Sequence, residues 1–149
     1  MLFRSDPLMV SSKPSIADAG NDHLPNSVTP YGAVPGEVWV VPYNDADAIE
    51  EIFKKHAKEI ACLIMEPVLE NIGIVLPDSG YLERVRELCT QYDVVLIFDE
   101  VKTGLTAGPQ GASERLNVNP DLICLAKSIG GGIPLAALDR KSTRLNSSH

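Results

Sequence analysis

Apolar residues fall along this chain in two kinds of run, and the two kinds alternate. The first kind is spaced at three and four. Ala48, Ile49, Ile52, Phe53 and His56 line one side of a helix predicted from a cap at Asn44 or Asp45 to about Lys58. Leu82, Val85, Leu88, Cys89 and Tyr92 do the same for a helix over about Ser79 to Tyr92. The second kind is continuous. Ile60 to Met65, Val94 to Phe98 and Leu122 to Ala126 are apolar on consecutive residues, as strands covered on both faces would be. Shorter strands are expected at Leu8–Val10, at Val38–Val41 before Pro42, and at Ile133 to Leu138. A short helix is expected near Ala112–Leu116, and residues 6–36, rich in Pro, Ser, Gly and Asn, read as irregular. Strand and helix in alternation predict an α/β architecture with a mostly parallel sheet and helices on both faces.

Both ends look foreign to that pattern. Residues 139–149, DRKSTRLNSSH, back-translate without conflict to a short-read sequencing adapter. Residues 1–5 back-translate to a stretch whose reverse complement contains the start of that tail. The expectation is that 1–5 and 139–149 are adapter-derived and that 6–138 is an internal slice of a longer protein. Removing Arg4 and the tail's net +2 takes the formal charge from −7 to −10. So acidic a chain argues against nucleic acid or an anionic membrane as partner. No apolar run approaches the roughly 20 residues of a membrane span. Cys62, Cys89 and Cys124 are odd in number, far apart and set in apolar segments, which reads as buried thiols in a reducing, cytoplasmic setting. His23 and His56 lie at no ligand spacing to them, so no metal site is expected.

Three polar residues stand at the tips of the continuous runs: Glu66, Asp99 and Lys127. Ligands of parallel sheets gather beyond the carboxyl ends of strands, so these three should converge. An amine and an acid at neighbouring tips suit pyridoxal phosphate. The amine can form an imine with its aldehyde, and the carboxylate can keep the pyridine nitrogen protonated. Partial desolvation would make Lys127 a better nucleophile and base. Ser128-Ile129-Gly130-Gly131-Gly132 after it lets backbone pass close to a ligand. Taken singly, each residue has a plainer reading. Lys127 could be a solvated loop residue, Glu66-Pro67 a strand terminator and Asn71 a turn residue. An apolar strand ending in Asp99-Glu100 also suits the Mg²⁺-holding strand of a nucleotide triphosphatase, but that fold needs a G-x-x-x-x-G-K-[ST] loop, and the slice has none.

Five stretches, in this order and spacing, resemble the class III aminotransferases, fold type I pyridoxal-phosphate enzymes. They are Ile64-Met65-Glu66-Pro67-Val68, Pro77 to Leu82, Arg86-Glu87-Leu88-Cys89, Leu96 to Gly104, and Pro120 to Pro134. The resemblance implies part of the large domain of such an enzyme, with pyridoxal 5'-phosphate as cofactor and a small amino-acid or aldehyde substrate. It implies a homodimeric full-length protein. Lys127 would be the catalytic, cofactor-bearing lysine. Asp99 would pair with the pyridine nitrogen, Val101 would pack on the ring, and Asn71 would sit by its phenolic edge. The run Val41 to Asp45, and Asn71 five residues after Glu66, are similar to the aminomutase branch of the class. Ornithine-type ω-aminotransferases usually carry glutamate where Asn71 stands. Leu69-Glu70 and Leu105-Thr106 depart from the usual residues at their places. The implied phosphate-binding loop and small domain lie outside the slice, so the polypeptide alone is expected to be inactive.

Overall fold

A computed structural model describes residues 39–140. The chain divides into two units at Ala48, and the sheet with its helices belongs to the second, from Ile49 onward. The expected strand at Leu8–Val10 lies outside the described residues, as does the irregular segment 6–36.

Helix α1 (Ala46–His56) starts where Asp45 Oδ1 accepts the N–H of Ala48 at 2.9 Å. Of the two possible caps it is Asp45 that works, because Asn44 takes a left-handed φ of 65° instead. Ile49 and Phe53 are buried, and the helix gives way to a single 3-10 turn at Ala57–Glu59. Strand β1 (Cys62–Met65) follows. Helix α2 (Tyr81–Tyr92) buries Tyr81, Leu82, Val85, Leu88 and Cys89, and Tyr92 meets the edge of Phe53 with ring centroids 5.7 Å apart. It stops at Asp93, whose φ of 58° turns the chain so that Val94 N–H returns to Cys89 O. Then come β2 (Val95–Asp99), α3 (Thr103–Thr106), α4 (Gly111–Arg115), β3 (Leu122–Leu125) and β4 (Ala137–Arg140).

The sheet order is β1-β2-β3-β4, parallel except for the antiparallel β4. Leu96 and Phe98 are fully buried, and α2 packs on β2. The other face is covered less well: Val95 and Ile64 remain exposed. The same openness corrects the reading of Cys62. It is exposed because β1 pairs only with β2 in this sheet, and nothing described covers the side carrying Cys62 and Ile64. Cys89 is buried and Cys124 half-buried. Burial pushes the Cys89 thiol up to about 11.

Two expected strands differ. Residues 39–41 form none; a short β-branched run needs a sheet neighbour, and propensity alone does not supply one. The last strand begins at Ala137, four residues later than expected, and takes in Asp139 and Arg140. All four of its residues are exposed, so backbone pairing alone places it.

The amino edge of the sheet is held by one acid. Asp121 Oδ2 accepts the Leu96 N–H and an Arg86 guanidinium N–H, each at 2.8 Å, while Asp121 N–H donates to Leu96 O. This ties α2 to the starts of β2 and β3. Burial pushes the Asp121 carboxyl up, but Arg86 and the Leu96 N–H together bring it below its ordinary value.

Candidate active site

The parallel register sets Glu66, Asp99 and Lys127 along the carboxyl edge of three adjacent strands. Met65 is the partner of Phe98, so Glu66 follows beside Asp99; Asp99 is the partner of Cys124, and Lys127 stands three residues beyond. Parallel neighbours are about 4.8 Å apart, so all three residues border one short edge.

Asp99 ends β2 half-buried. Its Oδ1 accepts the Val101 N–H at 3.0 Å, which fixes the carboxylate against the start of the next turn. Val101 is 8% exposed. The acid also acts on its register partner: burial first, and then Asp99, push the Cys124 thiol up.

Lys127 opens a 3-10 turn, Lys127–Gly130, with φ 52°. Among the described residues, three other non-glycine residues have positive φ, Asn44, Asp93 and Asn117, all of the kind that tolerates it. A lysine gains nothing local from that conformation, which costs about 1–2 kcal/mol. Such strain gathers at functional sites, where the surrounding structure holds it. Lys127 is exposed, not partly desolvated as expected, so its amine is open to a ligand. Beyond it Gly131 and Gly132, both at positive φ, have open space where a Cβ would stand. An accessible amine, a fixed carboxylate on the next strand and open glycines fit an aldehyde-bearing, ring-nitrogen cofactor such as pyridoxal phosphate.

Asn71 lies in the turn after β1, closed by the Leu69–Val75 bridge. It is exposed, and its Nδ2 donates to Glu66 Oε1 at 3.0 Å; Glu66 Oε2 accepts the Glu70 N–H at 3.1 Å. Glu66 is thus the fastener of the Asn71 turn and not only a strand terminator. Lys102 Nζ reaches Glu70 O at 3.5 Å and joins that turn to the segment after β2.

Sequence reading assigned no role to Glu100. It is 1% exposed and receives three hydrogen bonds: from Ala112 N–H (2.5 Å), Ser113 N–H (2.9 Å) and Thr103 Oγ1 (3.2 Å). Its own N–H donates to Cys124 O, and its O accepts the Gly104 N–H. Gly104 in turn lets α3 lie against β3, since a Cβ there would stand 2.6 Å from Leu125 Cδ2. Alternation along β2 was the available signal: Leu96, Phe98 and Glu100 share the buried side, opposite to Asp99.

Residues 17–147 match the family aminotransferase class-III. The chain belongs to that family. Among class III relatives, it is 52% identical over 101 residues, 68% of this chain and 24% of the other, to the glutamate-1-semialdehyde 2,1-aminomutase of Opitutus terrae. A glutamate-1-semialdehyde-aminomutase variant from Pseudomonas aeruginosa, solved in complex with PMP, superposes with a TM-score of 0.73. It is 31% identical, covering 91% of this chain and 28% of its own. An omega-transaminase from Sphaerobacter thermophilus gives a TM-score of 0.78 at 31% identity, over 93% of this chain and 32% of its own. The fold is therefore that of the matching part of these class III enzymes, a mostly parallel sheet with helices. The chain spans 24–32% of the length of the curated relatives it matches.

Proposed function

We propose that the full-length protein carrying this chain is a pyridoxal-phosphate-dependent glutamate-1-semialdehyde 2,1-aminomutase. The observation that carries the chemistry is Lys127, a lysine held in a left-handed conformation at a strand end beside Asp99. Several relatives at 41–52% identity bearing the aminomutase name support the substrate. So does Asn71, where ornithine-type enzymes carry glutamate.

When bound, the cofactor supplies a protonated ring that accepts electrons from the substrate carbon. Asp99 holds a proton at the ring nitrogen, and its Oδ1 contact with Val101 N–H keeps the carboxylate from swinging away. Val101 gives the ring an apolar face. Asn71, steadied by Glu66, donates at the phenolic oxygen. Lys127 would hold the cofactor covalently through Nζ and, once released from it, would move a proton between the nitrogen-bearing substrate carbon and the cofactor carbon joined to that nitrogen. The aldehyde carbon of glutamate 1-semialdehyde would receive nitrogen from the aminated cofactor, with loss of water, and the neighbouring carbon would give nitrogen back to it, so that the net product is 5-aminolevulinate for tetrapyrrole synthesis.

The proposal includes a homodimer and a cytoplasmic setting, in keeping with the free thiols. Among the described residues no helix is long and apolar enough to cross a membrane. It also takes 6–138 as part of the cofactor-binding domain, with both flanks adapter-derived; resequencing the gene from its source tests that. The test of function is turnover by the full-length protein. Glutamate 1-semialdehyde should yield 5-aminolevulinate with no second amino acid. Activity only with a keto-acid acceptor would instead establish the ω-aminotransferase alternative, which the Sphaerobacter likeness favours.

A further inference from the structure

The buried acid between Asp99 and Val101 belongs to no step above. Glu100 sits between two proposed cofactor contacts, yet its side chain turns the opposite way, into protein. Each hydrogen bond to its carboxylate comes from a donor on the following segment: Thr103 on α3, Ala112 and Ser113 at the start of α4. The segment between Val101 and Ser113 therefore begins and ends on one residue. Gly111 is part of the arrangement, for a Cβ there would collide with Glu100 Oε2. The main chain of Glu100 is fixed as well, by Cys124 O on one side and Gly104 N–H on the other. With both the backbone and side chain of Glu100 immobilised, Asp99 and Val101 have little freedom, since each is one peptide bond away.

We propose that Glu100 is a positioning residue for the cofactor. By gathering α3 and the start of α4 onto its carboxylate, it sets the direction of the Asp99 carboxylate and the height of Val101 at the ring. This rests on the proposed function, because it needs a bound ring to position. The alternative is a purely structural acid that holds the loop and leaves the cofactor indifferent.

The two roles differ in what a folded variant does to bound cofactor. In the full-length protein, Glu100→Gln puts an amide donor against the N–H of either Ala112 or Ser113, which donate to different carboxylate oxygens, so the clamp loosens without a large change in volume. The expected result is pyridoxal phosphate bound at least about tenfold more weakly. The absorbance maximum of the bound cofactor should move, because the ring nitrogen is less firmly paired with Asp99. Thr103→Val removes one of the three hydrogen bonds and leaves the amide contacts in place. It should weaken binding about two- to fivefold, shift the band in the same direction, and give a non-additive double variant. A folded Glu100→Gln protein with wild-type affinity and an unmoved band overturns the proposal. Should that variant fail to fold, Thr103→Val decides alone: unchanged affinity and band overturn it. If the wild-type protein shows no bound-cofactor band at all, the proposed function fails instead.

Discussion

The two edges of this sheet carry acids of the same kind put to opposite uses. At the amino edge Asp121 is satisfied: one oxygen takes a backbone N–H and a guanidinium, and three elements are joined by it. At the carboxyl edge Asp99 accepts one nearby N–H, and a lysine in a left-handed conformation stands three residues beyond its register partner. The amino edge puts its charges to work on the fold itself. The carboxyl edge keeps strain and open polar groups that contribute little to stability. Nothing in either strand's composition separates the two ends. What separates them is how completely each charge is paired, and that is the property a ligand site requires.

The contrast can be broken most sharply at Lys127. In the full-length protein Lys127→Ala should lower turnover by about 10³-fold or more and abolish the bound-cofactor band. Lys127→Gly should do the same while leaving apo stability unchanged or up to about 1 kcal/mol higher, as glycine relieves the left-handed strain. A loss of apo stability, read from urea melts, would mean that the lysine serves the fold. Next comes Gly111→Ala, where a Cβ meets Glu100 at φ 76°; unfolding should become easier by about 2 kcal/mol. At the amino edge Asp121→Ala should cost about 1 kcal/mol, a figure already reduced for its partial exposure, and leave cofactor affinity unaltered. The smallest effect is in pH. The folded Asp121 carboxyl titrates below its unfolded value, so its stabilisation is complete above about pH 4 and is lost as pH falls further. The acid limb of the stability curve should flatten in the Asp121→Ala protein.

Much of the scaffold was legible because each signal was local. The stripe of α2 and the continuous runs of β2 and β3 declare their periods directly, and Asp99 and Lys127 stand where those runs end. What escaped depends on distance. Val40 and Val41 have strand propensity without a strand, since pairing is decided elsewhere in the chain. Cys62 is apolar by neighbourhood and exposed by its place on the sheet. Glu100 looked like half of an acidic pair at a strand tip. The alternation of β2 points its side chain inward, but the partners that satisfy it there, Ala112 and Ser113, lie more than ten residues on, outside any window around Glu100. The φ of Lys127 was equally hidden, because no residue preference asks for it.

The segment between Gly104 and Gly111 stands between two fixed posts. One is the close approach of Gly104 to Leu125, the other the collision of any larger residue at 111 with Glu100. Between them Leu105, Thr106, Pro109 and Gln110 are exposed. Such a span is a cassette: a larger residue at 111 runs into the buried Glu100 and one at 104 makes Leu125 move, while the exposed positions between touch neither. Leu105 and Thr106, which depart from the usual residues of the class, fall inside it. Divergence among related enzymes, or a designer's loop exchange, should therefore accumulate there and spare both posts.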